Sequence, residues 1–431
     1  MRHGYGDAVS QEESQPPATG WRQVLVVLFM AQLLTAMGFS SIFPFLPNYV
    51  NDLGSAWNLD LVLLAGAVYS GQAITMMIAS PIWGAVSDRF GRKLMVQRAM
   101  WGGAILIFAM AFVRNAEELV LLRAVQGAVT GVISANNALI ASVTPRERSG
   151  FALGTLQTAL TSGVALGPVV GGLLADAYGY RVAHVITGIL LAVGAIIVHF
   201  GVQERFERPE TMRKFRGFFS DWGHILGAPG VRITFAARFF AWLARGVLVP
   251  ILPLFIPILL AGSGRTATFT GLVIGIAAAT STVSALILGN LGDRIGYRRV
   301  LVVSAAASAV FYLPMAFVTS GAQLLILNGL AGIAIGGVLP SLSAILNVAT
   351  SSSEVGSAFG LDNAVVAASR AVAPLVGVGL ATLLGGGDVG YRAVFLSASA
   401  MFLATMLLGM QVPTVREMRA TQEARSEARA S

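Results

Sequence analysis

The chain has 431 residues, of which 55% are hydrophobic and 12% charged. That is about half the charged fraction of a soluble domain, and no water-soluble fold could hide so much apolar surface. There is no cysteine, which excludes disulfides, iron–sulfur clusters and thiolate metal sites, and the four histidines (His3, His184, His199, His224) lack metal-ligand spacing. The net charge of +8 reads as membrane orientation and not as nucleic-acid binding, because the basic residues return in alternate loops.

Residues 1–20 are expected to form a polar cytoplasmic tail with no cleaved signal peptide. Twelve apolar spans follow, at about 23–49, 60–85, 94–113, 117–142, 150–175, 181–202, 231–260, 268–291, 299–318, 321–347, 355–384 and 391–411. Each is long enough to cross a bilayer as a helix. The fold class predicted is an all-α polytopic membrane protein, with twelve transmembrane helices as two pseudo-symmetric six-helix bundles. Residues 21–202 make the N-terminal bundle, 203–230 a basic cytoplasmic linker, 231–412 the C-terminal bundle and 413–431 a second polar cytoplasmic tail. With the N-terminus inside, the inner segments hold 20 of the 29 Lys and Arg residues, while the outer loops hold only Arg114, Arg181, Arg265 and Arg392. That imbalance places both termini in the cytoplasm. The linker stretch QERFERPETMRKFRGFFSDW, Gln203 to Trp222, is either an amphipathic segment on the inner leaflet or a plain connection.

The two halves match at a nearly constant offset. Pro44 and Pro47 in PFLP match Pro250 and Pro253 in PILP; Gly127 and Gly131 match Gly332 and Gly336; Pro168 matches Pro374; GYR at 179–181 matches GYR at 390–392. GAVSDRFGRKLM, from Gly84, returns as GNLGDRIGYRRV, from Gly289, 205 residues later. Parallel repeats of this size are a transporter architecture with a substrate site near the midplane between the halves. In each loop copy glycine permits a tight turn, the acid can pair with a nearby cation, and the arginines hold the loop to an anionic leaflet.

On these residues the sequence resembles the major facilitator superfamily over about residues 20–412. GxxxDRxGRK is that superfamily's loop motif, complete at Gly84, Asp88, Arg89, Gly91, Arg92 and Lys93 and partial at Gly289, Asp293 and Arg294, where Tyr297 and Arg298 replace Arg92 and Lys93. Gly38 with Pro44 and Pro47, LLRAVQG around Arg123, and GVALGPVVGG at Gly163–Gly172 are similar to the twelve-helix drug:proton antiporter branch. The resemblance implies that the loop acts as a conformational latch. It implies that Gly163, Gly167, Pro168, Gly171 and Gly172 form a helix seam closing one side of a cavity, and that Arg123 takes part in proton coupling. It also implies proton-coupled efflux of amphipathic drugs or small organic molecules by alternating access.

The residues themselves add candidates and alternatives. Gly163, Gly167 and Gly171 make a smooth face for close packing, and Ala373 replaces the first glycine of GP in the second copy, a degraded copy that favours a functional seam over ordinary membrane packing. Arg123 lies inside a span and its partner Asn328 is neutral; it is either functional or snorkels to the outer surface. Asp362 is the one acid well inside a span, and removal from water favours the neutral form of a carboxyl group, so it is a proton-coupling candidate with Asp88 and Asp52; the alternative is a hydrated acid near the inner mouth. Arg370 lies about 80° round the same helix, which disfavours a direct bond and allows a shared cavity. ARFFAWLAR places Arg238, Trp242 and Arg245 on one face. Five span arginines (98, 123, 238, 245, 370) against one aspartate favour an anionic or zwitterionic amphiphile as substrate; the alternative has Arg98 and Arg238 snorkelling inward. Gln32, Asn136, Asn137, Gln157, Asn363 and Arg370 are further cavity candidates or interhelical glue.

The expectation is a monomeric carrier in a bacterial inner membrane, with a small-molecule substrate, protons and lipid as partners, no nucleic acid, no metal and no cofactor beyond the proton gradient. It is not expected to be an enzyme, since no nucleophile–base pair stands in the spans. A sugar or organic-acid carrier is the alternative within the class, and a non-transporting membrane receptor the alternative from another class.

Overall fold

The computed structural model describes residues 20–130, 136–137, 139–140, 143–202, 226–227, 230–261, 264–350, 355–413 and 417. Most of the linker and of both tails lies outside the described residues, as do Gly131 and part of the predicted span 117–142. The described chain is all α-helical apart from turns and one 3-10 turn.

The first half contains α1 (Trp21–Ser41), α2 (Leu46–Leu53), α3 (Leu61–Phe90), α4 (Arg92–Met110), α5 (Ala116–Val129), α6 (Ser149–Tyr178) and α7 (Tyr180–Gly201). The second half contains α8 (Val231–Gly246), α9 (Ile251–Leu260), α10 (Thr266–Ile295), α11 (Tyr297–Met315), α12 (Gly321–Ile335), α13 (Val338–Ala349), α14 (Val355–Leu383) and α15 (Gly387–Gln411). Ten stretches among the described residues are long and apolar enough to cross a membrane. α4, with Arg92, Lys93 and Arg98 near its start, and α5, described over 14 residues, fall short by that measure.

Three predicted spans break. The span 23–49 separates into α1 and α2 at residues 42–45, and 231–260 separates into α8 and α9 at 247–250. Proline has no N–H to give and clashes with the preceding turn, so Pro44 and Pro250 interrupt the helices at equivalent places. The span 321–347 divides at Gly336 and Gly337, where a Cβ would meet the Ser281 carbonyl oxygen at 2.6 Å and the Ser304 hydroxyl at 2.2 Å.

Other local devices repeat as well. Gly91 and Gly296 both have φ +96°, which turns the chain between α3 and α4 and between α10 and α11 at little steric cost. Asn115 Oδ1 accepts from the Glu118 amide at 2.9 Å, and Ser320 Oγ accepts from the Gln323 amide at 3.4 Å. The Glu118 and Gln323 side chains reach back to the amides of Arg114 and Thr319, both at 2.8 Å, giving two reciprocal caps 205 residues apart.

The core locates the joint between the halves. One cluster unites Leu46, Tyr49 and Val68 of the first half with Val247, Leu252 and Phe395 of the second. It lies toward the face carrying Gly54 and Ala116, whose backbones are bonded, and the Arg181 and Arg392 turns. Toward the other face, where Lys93 bonds the His199 carbonyl and Gly230 meets Pro413, the cores are separate: Leu28, Met95 and Leu156 in one half, Phe235, Leu301 and Leu361 in the other. The halves therefore hold together at one face and part at the basic face. Exposed apolar side chains such as Phe200, Leu286, Val303 and Phe317 cover the perimeter, as a lipid-facing surface requires.

Candidate functional site

Two seams join the halves. In the first, α6 lies on α10. A Cβ at Gly172 would lie 2.3 Å from the Ala267 carbonyl oxygen, one at Gly271 2.1 Å from that of Pro168, and one at Gly275 2.8 Å from that of Ala165. Backbone meets backbone, an approach small residues allow. Asp176, one turn past Gly172, reaches across: its Oδ1 accepts from the Ala267 amide at 3.2 Å and its Oδ2 from the Thr268 amide at 2.7 Å. These first-turn amides of α10 have no partner within their own helix, and the carboxylate sits at the positive end of the helix dipole. In the second seam α3 lies on α14, with Gly66 against Val378 and the Pro374 carbonyl.

Gly163, Gly167 and Gly171 face elsewhere. Their Cβ positions would strike Leu33, Ala36, Met37, Ser40 and Ser41 of α1, with the Ser41 carbonyl oxygen 1.8 Å from that at Gly171. GVALGPVVGG thus has two faces, one holding α1 within its half and one, with Pro168 and Gly172, meeting the other half. The second copy is as close: a Cβ at Gly377 would lie 2.1 Å from the Val247 carbonyl oxygen, and Ala373 packs its own Cβ onto Gly246. The glycine missing at 373 has moved to the partner helix, so Ala373 does not mark a degraded seam.

At the basic face, Gly84, Asp88 and Arg89 lie on α3 and their side-chain contacts are outside the described residues. Gly91 makes the turn and begins α4, which carries Arg92 and Lys93 in its first turn. In the second copy Gly289 faces open space, Arg294 closes α10, and the Asp293 carboxylate accepts from the Tyr297 hydroxyl. Tyr297, where the first copy has Arg92, thus occupies the acid within its own half.

The second half carries the densest charge inside the described helices. Asp362 on α14 is the one buried acid among the described residues, and its Oδ1 lies 2.6 Å from Arg238 Nε on α8, with both side chains under 8% exposed. Arg238 also donates from Nη2 to the Ser343 hydroxyl at 2.7 Å. It is held in an ion pair and does not snorkel. About two turns further along both helices stand Arg245 and Arg370, with their guanidinium carbons 5.4 and 5.9 Å from the Trp242 ring centroid. Asn363 and Arg370 are exposed. Arg370, Pro374 and Val378 share one stripe of α14, the stripe that meets Gly66 of the other half, so Arg370 is turned toward the side of α14 that faces the other half.

The first half is more neutral. Gln32 and Asn136 are buried, and Asn136 Nδ2 donates to Gln32 Oε1. Their polar groups meet each other instead of lining an open cavity. Asn137 is half-buried, and Gln157 is exposed on α6. Arg123 is 1% exposed, which rules out snorkelling in this structure; it donates to the Val68 carbonyl at 3.2 Å and to Gln126 Oε1 at 2.7 Å, beside the Tyr69 ring. Arg98 also stays inside its half, bonding the Val129 carbonyl at 2.7 Å across the Trp83 ring. Asp52 is exposed beside a cleft with Tyr178, Tyr180 and Arg181 at the joined face.

Sequence reasoning missed Asp176, Ser343 and the neighbours of Arg123. Asp176 was legible as an acid four residues past the last glycine of the motif; Ser343 was not, since any of several hydroxyls would have served.

The sequence model of the Major Facilitator Superfamily matches residues 28–258 and 234–430. The chain is 34% identical over 391 residues to the multidrug resistance protein MdtG of Escherichia coli O81 (strain ED1a), covering 91% of this chain and 94% of that protein. Its fold is similar to that of a bacterial homologue of the human lysosomal transporter Spinster in an inward-facing, unoccupied conformation, with TM-score 0.74 and 13% identity over 91% of this chain and 97% of that one. It is also similar to the human organic anion transporter MFSD10, with TM-score 0.63 and 20% identity over 92% of this chain and all of that one. Repeated loops and seams, halves that part at one face, and matches spanning both halves lead to one conclusion: the chain belongs to the major facilitator superfamily and is a multi-pass membrane transporter.

Proposed function

We propose that the chain is a proton-coupled efflux carrier for amphipathic drugs or small organic molecules. It works by alternating access, as two six-helix bundles (21–202 and 231–412), in a bacterial inner membrane with both termini in the cytoplasm. The carrying observation is the buried Arg238–Asp362 pair, which stands between α8 and α14 beside a gap that opens at the basic face. The multidrug resistance name of relatives matched over nine-tenths of the chain supports efflux.

Substrate enters the gap from the cytoplasm. Parting the halves at the joined face then requires separating α6 from α10 and releasing the Asp176 cap. A proton arriving at Asp362 neutralises it and breaks the ion pair, while Arg238 keeps Ser343 as an acceptor. Return to the cytoplasm-facing state and loss of the proton restore the pair. The basic-face loop around Asp88 acts as the latch of the opposite state. The proton gradient supplies the energy, no cofactor is used, and a monomer suffices.

The test uses everted vesicles energised to an acid interior. Adding amphiphiles of anionic, zwitterionic and cationic type should raise the interior pH for at least one type, and Asp362→Asn should lose that response while inserting normally. A wild-type response in Asp362→Asn would exclude Asp362 as the coupling group, and silence toward every compound would exclude antiport.

A further inference from the structure

We infer that Trp242, Arg245 and Arg370 form an anion subsite that takes the oxyanion head group of an organic acid, such as a carboxylate, sulfonate or phosphonate. The inference rests on reading the gap between the halves as the transport path. Its first support is a charge imbalance. Arg245 and Arg370 flank the same indole, and neither has an ionic or hydrogen-bond partner among the described residues. Arg370 interacts electrostatically with Arg245, a like charge, and Arg245 with the Tyr312 hydroxyl. Two guanidinium groups set against one indole repel each other, and an anion that meets both removes that repulsion.

The second support is a hydrogen-bond imbalance. The Trp242 Nε1 is buried and has no acceptor among the described residues. An indole N–H is a donor only, and a buried donor without a partner is destabilising. The cluster therefore presents three donor groups and no acidic side chain. An oxyanion supplies several acceptor oxygens to a planar guanidinium fork and an N–H at once and cancels charge as well; a cation adds to the charge, and a neutral sugar leaves it uncancelled.

The third support is the contrast along the same two helices. Seven residues before Arg245 and eight before Arg370, α8 and α14 carry Arg238 and Asp362, and there the charges cancel. The same pair of helices is thus self-neutralised at one level and left cationic at the next. Arg370 is exposed on the stripe that faces the other half, so the uncancelled level is open to a ligand.

Binding of pyrenesulfonate and of pyrenemethylammonium to the full chain in phosphatidylcholine nanodiscs tests this directly. The wild type should bind the sulfonate more tightly than the ammonium. Arg245→Gln and Arg370→Gln should each weaken the sulfonate roughly tenfold and leave the ammonium unchanged, with Arg370→Lys intermediate. Trp242→Phe should cost roughly threefold, the loss of a neutral donor with the ring retained. Thermal unfolding of each variant separates lost binding from lost fold, and the Lys variant retains the charge if a Gln variant does not fold. Equal affinity for the two probes, or unchanged sulfonate binding in folded Arg variants, would overturn the subsite. Displacement of the sulfonate by phosphatidylglycerol but not by soluble organic acids would overturn it in favour of a lipid head group. Sulfonate binding is read without a proton gradient, so failure of proton coupling and failure of the subsite remain distinguishable.

Discussion

Gln32 and Arg238 stand 206 residues apart at matched places in α1 and α8. In the first half Gln32 meets Asn136 in a neutral hydrogen bond; in the second Arg238 meets Asp362 and Ser343 in a charged one. Around them the backbones repeat closely. Pro168 faces Gly271 across one seam and Pro374 faces Gly66 across the other, the proline and the glycine each displaced by one repeat. Arg181 and Arg392 fasten their turns to the backbone at Val113 and Val318, again one repeat apart. Duplication has kept the features that set helix approach and turn geometry. The charges on the inner faces have diverged, as expected if geometry serves both halves alike and chemistry is needed in one.

The seams differ in a further way. Asp60 Oδ1 caps its own helix, accepting from the amides of Val62 and Leu63 at 2.7 and 3.2 Å. At the matched start of α10 the residue is Arg265, and the cap comes from the other half, from Asp176. Where Gly172 admits a backbone, its counterpart Val378 fills the space with a side chain. The α6–α10 seam is therefore tied by backbone contact and a charged cap across the halves, and the α3–α14 seam by side-chain packing.

These differences can be broken in order of size. The largest effect is expected where the halves agree: Gly171→Val and Gly377→Val should both abolish folded protein in size-exclusion profiles, because their Cβ positions fall on backbone oxygens that cannot move aside. Next comes the charged pair. Arg238→Ala strands a buried carboxylate and should cost about 3–5 kcal/mol, and the double variant Arg238→Met with Asp362→Leu should recover much of it. Gln32→Ala, which removes a neutral bond, should cost about 1–3 kcal/mol, so the gap in Tm between these variants measures how far the halves have diverged. The smallest is the cap. Asp176→Ala should cost about 0.5–2 kcal/mol and shift the population toward opening at the joined face, while Asp60→Ala should cost a similar amount without that shift. Since the chain has no native cysteine, a labelled cysteine pair across α6 and α10 reports the distance without background. An identical distance change in both variants would remove the distinction between the seams.

Much of this was legible. Apolar spans, the repeat and the loop motif identified the superfamily, because a bilayer demands long apolar helices and a duplication leaves a constant offset. The breaks at Pro44 and Pro250 were visible as residues but were read through, since apolar composition continues across them. The two faces of GVALGPVVGG were not separable, because glycine spacing shows that a face is smooth and not which helix lies against it.

The sequence by itself determined the membrane class, the duplicated plan and the excess of arginine over acid within the spans, all properties of composition and order. Only the tertiary structure decided how that excess is spent. Arg238 is cancelled by Asp362, Arg123 is enclosed by carbonyl and amide oxygens, and Arg245 and Arg370 are left beside the same Trp242 ring without an acid. Charge compensation depends on distances of a few ångströms between helices far apart in the chain, and no spacing along a single helix contains that distance.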